Sequence, residues 1–396
     1  MYFSFSQFHK KGGLIFSFVF IALLFLLYAN KVVDEYPHSN QILKILHYNK
    51  LDPTVTVLPG YHYILAGFLK LFGTNEFVAM RIITMVLNSF TFFFIYRIAL
   101  RVNRQPAIDT TLEIFLLPII FPFFFLVYTD IPALLAVLAV LGLLFEKKYY
   151  IAGIVALLGC MIRQSNIVWY FFMAVMFFVE HHEFVITSVI DYLKKMSTFI
   201  LTGAAFVVFM YLNKGIAVGD VDMHPPMVLK TGNIIFFLIV FFIMFLPQNI
   251  SNFTAIVRLL KKKEVILMLL PLAYLLYNHM IFDHPYNQMG GIRNYMIQFI
   301  TSYEVMKILT VFVSLYALLS IAVTPLAKTA YYLIYPFSFI LLSSSWLVEQ
   351  RYYIVSMTLF ILFRKYPLKY KKTTYAYYML INVVFMYGIF TGDFFM

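Results

Sequence analysis

Apolar residues do not alternate with polar ones along most of this chain; they run on for several helical turns, and short polar joints separate the runs. Thirteen runs lie at roughly 12–30, 77–99, 112–128, 130–145, 149–164, 166–180, 196–213, 233–247, 264–282, 304–323, 329–347, 351–363 and 375–391. A helix of about 20 apolar residues crosses the hydrocarbon layer. The pattern therefore predicts an all-α polytopic membrane protein with about 13 transmembrane helices. The stretch 59–73 is also apolar but contains Pro59, Gly60 and Gly67, so it is expected to lie along the interface. The first run follows His9-Lys10-Lys11 and precedes Asn30-Lys31-Val32, a poor cleavage site; a retained signal anchor is expected.

Composition supports the same class. The 396 residues are 62% hydrophobic and 12% charged, with mean hydropathy +0.85, whereas soluble domains carry about 25% charged residues. The 45 Phe and 30 Tyr suit rings placed in lipid and at both interfaces, and Trp169 and Trp346 read as belt anchors. A single cysteine, Cys160, excludes an intrachain disulfide, and its apolar setting makes it a packing residue.

Charge sets the orientation. With a cytosolic N-terminus, one set of loops holds nineteen of the thirty basic residues, including Arg97, Lys148, Lys263, Lys328, Arg364 and Lys371. The same set holds seven acids: Asp109, Glu113, Glu146, Glu180, Glu183, Asp191 and Glu264. The other side balances eleven basic residues with eleven acids. This is the positive-inside bias, so the net charge of +12 reports topology. No soluble basic face exists to bind nucleic acid. The paired sequons at Asn249 and Asn252 fall on the cytosolic side and are expected to be unmodified, and His9, His181 and His182 read as loop residues there.

The unusual side chains gather on the far side. Asp34-Glu35 follows the first run, and a carboxylate pair at a membrane edge is a functional candidate by default. It suits a general base that deprotonates an acceptor hydroxyl; a solvated helix end with an N-cap acid is the plain alternative. Arg163, Arg293 and Arg351 end apolar runs, and a guanidinium fork holds phosphate well, although interface arginines also snorkel. Asp220, Asp222, His224, Asp283 and His284 include donors for a metal, but without a compact spacing such as H-E-x-x-H they fit sugar hydroxyls or phosphate at least as well. No nucleotide phosphate loop is present, which points to a lipid-linked donor.

Taken in order, these clusters resemble the dolichyl-phosphate-glucose α-1,2-glucosyltransferase family, which adds the last glucose to the lipid-linked N-glycan precursor. The family's D-E-x-x-H is matched by Asp34, Glu35 and His38, and its D-P-x-I-T-T-x-P-G by the segment from Asp52 to Gly60, with Val55 and Val57 as departures. Y-T-D stands at Tyr128-Thr129-Asp130, and R-Q-T-N-I-x-W at Arg163 to Trp169 with Ser165 for Thr. Gly219-Asp220 with His224, His284-Pro285 with Arg293-Asn294-Tyr295, and Glu349-Gln350-Arg351-Tyr352, with Gln350 for Pro, complete the series. The chain is shorter than typical members, mainly in cytosolic loops.

The resemblance implies the GT-C glycosyltransferase fold. One integral membrane domain would fill 1–396, with 31–75 as a large first lumenal catalytic loop, in the endoplasmic reticulum membrane. It implies an inverting transfer with no cofactor and no metal; the partners would be dolichyl phosphate glucose, a dolichyl-diphosphate-linked oligosaccharide and membrane lipid, and no nucleic acid. Asp34 would be the base, with Glu35 orienting or replacing it. Arg163, Arg293 and Arg351 would meet the donor phosphate. His38, Asp52, Asp130, Asn166, Asp220, His224, His284, Tyr295 and Glu349 would contact donor or acceptor sugar. Transfer of another sugar from a polyprenyl phosphate would use the same architecture. A transporter or flippase would instead need polar span interiors or inverted repeats, and the runs are apolar inside with no internal repeat.

Overall fold

The computed structural model describes residues 19–20, 23–24, 27, 29–103, 106–224, 229–288, 295–366 and 368–392. Most of the expected first span, and Arg293, therefore lie outside the described residues. What is described is helical throughout, with one isolated β-bridge between Leu326 and Arg364.

Among the described residues, three helices are long and apolar enough to cross a membrane: Phe77–Val102, Glu304–Val323 and Lys371–Thr391. Two bent pairs raise the number to five if each is one span: Ile186–Lys195 with Ser197–Asn213, bent by 73°, and Gly232–Met244 with Leu246–Leu260, bent by 98°. The helices Asp130–Phe145, Tyr149–Ile162 and Asn166–His181 are apolar but shorter. The protein is thus an all-helical, polytopic membrane protein.

The helix Ile354–Phe363 is the centre of the packing. All ten of its residues are buried, and it touches Phe77–Val102, Ala107–Leu116, Asp130–Phe145 and Ile334–Ser343. At 1.5 Å per residue it is about 15 Å long, half of a bilayer core. Arg351 lies just before it and Arg364 just after, so the buried rod separates two polar ends.

The apolar run 112–128 does not form one helix. Ala107–Leu116 stops ahead of Pro118, and a short 3₁₀ turn, Phe121–Phe124, follows with Pro122 in it. Irregular backbone at membrane depth is tolerated only inside protein, and this segment is buried throughout. Its carbonyls are met by polar side chains from two of the span-length helices: Asn88 Nδ2 donates to Phe123 O and Phe124 O (3.3 and 3.1 Å), and Asn382 Nδ2 to Leu116 O (2.7 Å). The break delivers Tyr128, Thr129 and Asp130 to one end of the bundle.

The segment expected as a loop at 31–75 is largely helical. Glu35–Tyr48 and Gly60–Phe72 pack on each other and bury Ile42, Ile45, Tyr61, Leu65 and Leu69 in a second, smaller core that Met80, Ile83 and Val127 complete. Glu35–Tyr48 ends at Asn49, whose left-handed φ of 49° suits an Asn just past a helix.

Ion pairs respect the charge partition. Arg97 and Lys148 with Glu146, Lys328 with Glu180, Arg364 with Glu113 and Lys371 with Asp109 all lie within the basic set. Asp34 with Arg351, Asp130 with Arg163, Glu35 with Arg81, Asp52 with Lys44 and Asp283 with Lys230 lie within the other. Among the described residues, no recorded ion pair joins the two sets.

Candidate active site

At the end away from the basic loops, two acid–arginine pairs meet around tyrosines. Arg351 Nη2 lies 2.6 Å from Asp34 Oδ2, and Arg351 Nε also pairs with Glu349. Arg163 Nη1 pairs with Asp130. The Tyr352 ring lies 5.5 Å from the Arg163 guanidinium and 6.0 Å from that of Arg351, and Tyr128 is 5.6 Å from Arg351. These are cation–π distances. The Tyr128 hydroxyl also accepts a hydrogen bond from the Asp34 backbone N–H at 3.2 Å.

The electrostatics follow from this crowding. Burial opposes the charge on Arg351, but the carboxylates of Glu349, Asp34 and Asp130 outweigh it and raise its pKa well above the usual value. Tyr128 is pushed well up, first by burial and then by the Asp34 charge; it stays a neutral donor and acceptor. Among the described residues the cluster holds three carboxylates and two guanidinium groups. Arg163 and Asp130 are the less satisfied pair. Among the described residues, Arg163 hydrogen-bonds through Nη1 alone, and Asp130 Oδ2 is buried without a partner.

Glu35 stands beside Asp34 in the chain but faces inward. It is fully buried and accepts four hydrogen bonds: from Arg81 Nε (3.0 Å) and Nη2 (2.5 Å), Val127 N (2.8 Å) and Val32 N (3.1 Å). Arg81 in turn donates to the carbonyls of Ala29 and Asn30 (2.7 and 3.1 Å). This knot ties the helical first segment to the Phe77–Val102 span and to the broken segment, and so fixes Asp34.

His38 lies behind the cluster, with its ring 5.7 Å from Tyr128 and its Nδ1 2.9 Å from His62 Nε2. Burial, helped by Arg351 and only partly offset by Asp34, pushes its imidazole down to about 4, so it is neutral near pH 7.

Other expected residues sit elsewhere. Asp52 bonds Lys44 at 2.6 Å and caps Thr54; burial works against its charge, but these bonds hold it below the usual carboxylate range. Its loop is held by Gln164, whose amide donates to Thr56 O and Ile216 O (3.1 and 3.0 Å). A Cβ at Gly219 would overlap the Pro53 and Val55 carbonyls. Asn166 is buried and spends its amide on Ala133 O and Gly159 O, bracing helices.

Asp220, His224 and His284 form a second group. Tyr286 OH donates to Asp220 at 2.9 Å, His224 Nε2 is 3.8 Å from the same carboxylate, and the His224 and His284 rings are 6.1 Å apart. Asn287 joins this group to the first through paired hydrogen bonds with Val348, both 3.0 Å, one residue before Glu349. Tyr295 begins the helix Tyr295–Ser302 and is half exposed. Among the described residues, no group of three or more His, Cys, Asp or Glu is placed to hold a metal ion.

Arg81, His62 and Gln164 were not among the expected site residues. Arg81 carried a signal: a charge one turn into a long apolar run is costly without a partner.

A model of the DIE2/ALG10 family matches residues 28–185 and 176–362, well over half of the sequence and all of the cluster just described. The chain belongs to the DIE2/ALG10 family. Among relatives, it is 31% identical over 136 residues to the Dol-P-Glc:Glc(2)Man(9)GlcNAc(2)-PP-Dol alpha-1,2-glucosyltransferase of Candida albicans, covering 31% of this chain and 30% of that protein. The enzyme of the same name from Debaryomyces hansenii is 30% identical over 143 residues, 31% of each chain. The Homo sapiens one is 26% identical over 139 residues, 31% of this chain and 29% of the relative. The aligned parts thus span about 30% of these relatives. No solved structure matches. For a DIE2/ALG10 chain, Asp34 and the segment 349–352 come to the cluster from near opposite ends of the matched region, and Tyr128, Asp130 and Arg163 come from between them.

Proposed function

We propose that this protein is an inverting glucosyltransferase of the endoplasmic reticulum membrane. It would move glucose from dolichyl phosphate glucose to a diglucosylated, dolichyl-diphosphate-linked oligosaccharide and form an α-1,2 linkage. The observation that carries this reading is the meeting of Asp34, Arg351, Glu349, Asp130 and Arg163 at one end of the bundle, in a member of the DIE2/ALG10 family. The active end faces the lumen in this reading, with the N-terminus cytosolic. The chain 1–396 is one GT-C domain of about 13 spans, and 31–75 closes over the site.

Asp34 is the base. It takes the proton of the acceptor hydroxyl as that oxygen bonds the glucose C1 and the bond from C1 to the phosphate oxygen breaks, so a β-linked donor yields an α-linked product. Arg351 orients Asp34 between itself and the Tyr128 hydroxyl. Arg163, with guanidinium donors beyond its one bond to Asp130, meets the departing phosphate, joined by Arg293. Glu35 orients Asp34 from below through its grip on Arg81 and Val127. His38, Asp52, Asp220, His224, His284, Tyr295 and Glu349 belong to the walls that receive the sugars, and Asn166 braces them.

The test supplies the purified protein with synthetic dolichyl phosphate glucose and the diglucosylated oligosaccharide lipid. A product with a new α-1,2 glucose supports the proposal. Product formed only with another polyprenyl-phosphate sugar moves the protein to a different donor, and no transfer with any such donor overturns the enzymatic reading.

A further inference from the structure

A cavity of about 220 Å³ opens at the basic end, across the Ile354–Phe363 rod from the acid–arginine cluster. Arg364 forms part of its wall, with Gln248, Ser251, Tyr366, Lys369 and Tyr370 around it. Arg364 is buried and its Nη atoms are committed, to Gln248 Oε1 (2.5 Å) and to Glu113 (2.5 Å), while its Nε–H is buried with no partner. Glu113 neutralises Arg364, so the cavity's uncompensated charge is that of Lys369. Among the described residues neither Lys369 nor neighbouring Lys365 has an ion-pair partner, and each ammonium rests near the ring of the next tyrosine, at 5.3 and 5.5 Å. Tyr366 and Tyr370 are exposed, and the apolar helix Lys371–Thr391 begins immediately after them. Exposed tyrosines and lysines at the start of an apolar helix mark the headgroup level of a bilayer.

From this placement we infer that the cavity is a binding site for a phosphate monoanion, occupied by the phosphodiester of an anionic phospholipid. One ammonium without an ion pair among the described residues matches one phosphodiester charge, and the Tyr366 and Tyr370 hydroxyls supply neutral donors. Basic pockets between helices at the membrane surface are suited to such headgroups. Residues 364–374 of the lining lie outside the part of the chain that the family model matches, and the site is separate from the transfer reaction, so the proposal stands or falls independently of it.

The test reconstitutes the full chain in nanodiscs of mixed phosphatidylcholine and phosphatidylinositol and releases it for native mass spectrometry. Selective retention of phosphatidylinositol is expected, reduced about fivefold in Lys369→Gln, the factor for one surface cation at ~1 kcal/mol. Lys307→Gln, which removes a cation at the opposite end, is expected to change nothing. Equal retention by parent and Lys369→Gln overturns the site, as does equal loss in both variants. Displacement of the lipid by added inorganic phosphate alone would identify soluble phosphate as the occupant and overturn the lipid assignment.

Discussion

Arg351 Nη2 lies 2.6 Å from Asp34 Oδ2, joining the end of the first apolar run to the turn that opens the most buried helix of the protein. A carboxylate held this way cannot swing, so it presents one direction to an acceptor. With Asp34 as the proposed base, Asp34→Asn is expected to lower kcat by about 10²–10⁴, the usual contribution of general-base catalysis, with little change in thermal stability because Arg351 keeps its pair with Glu349. Asp52→Asn should lose far less, because Asp52 is engaged with Lys44 and Thr54 outside the cluster. Near-normal turnover in Asp34→Asn would remove Asp34 from the mechanism.

Glu35 is expected to separate from its neighbour in the opposite way. Glu35→Gln leaves the Arg81 guanidinium buried without its counter-charge, and breaking a buried pair from one side costs about 3–5 kcal/mol. The protein should unfold at markedly lower temperature in detergent, while any folded fraction keeps a reduced but measurable turnover per molecule, because Glu35 positions Asp34 and does not take the proton. Wild-type stability together with abolished turnover would instead make Glu35 the base.

The convergence of Asp34, Asp130, Arg163 and Arg351 was legible because charge in so apolar a chain is rare and the positive-inside bias sorts it by side. The division of labour between Asp34 and Glu35 was not, since adjacency in sequence says nothing about which carboxylate turns toward Arg81. The run 112–128 reads as a span by hydropathy, and the uniform Phe content hides the break; Pro118 and Pro122 were the local signal. The helix Glu35–Tyr48 passed for a loop because its buried face mixes His38, Gln41 and Ser39 with Ile42 and Ile45, so no clean apolar stripe shows.

Arg163 should report on the donor. If its guanidinium meets the leaving phosphate, Arg163→Lys keeps the charge but loses the fork. The KM for dolichyl phosphate glucose should rise along with a fall in kcat, whereas the KM for the oligosaccharide acceptor should hold. An effect confined to the acceptor KM would assign Arg163 to the other substrate.

The pH dependence of stability should carry the signature of the His38–His62 pair. Burial pushes His38 from 6.5 down to about 4, and His62 is also held well below 6.5, by burial and by His38. Below pH 6.5 the unfolded chain takes up protons on these imidazoles while the folded protein refuses them. Their contribution is therefore full above pH 6.5 and is lost as the pH falls toward 4. At 1.36 kcal/mol per unit of separation, His38 alone accounts for about 2 kcal/mol between pH 7 and pH 5. Thermal unfolding at those two pH values should show a larger drop for the parent than for His38→Gln. An identical drop in both proteins would mean that another group governs the acid response.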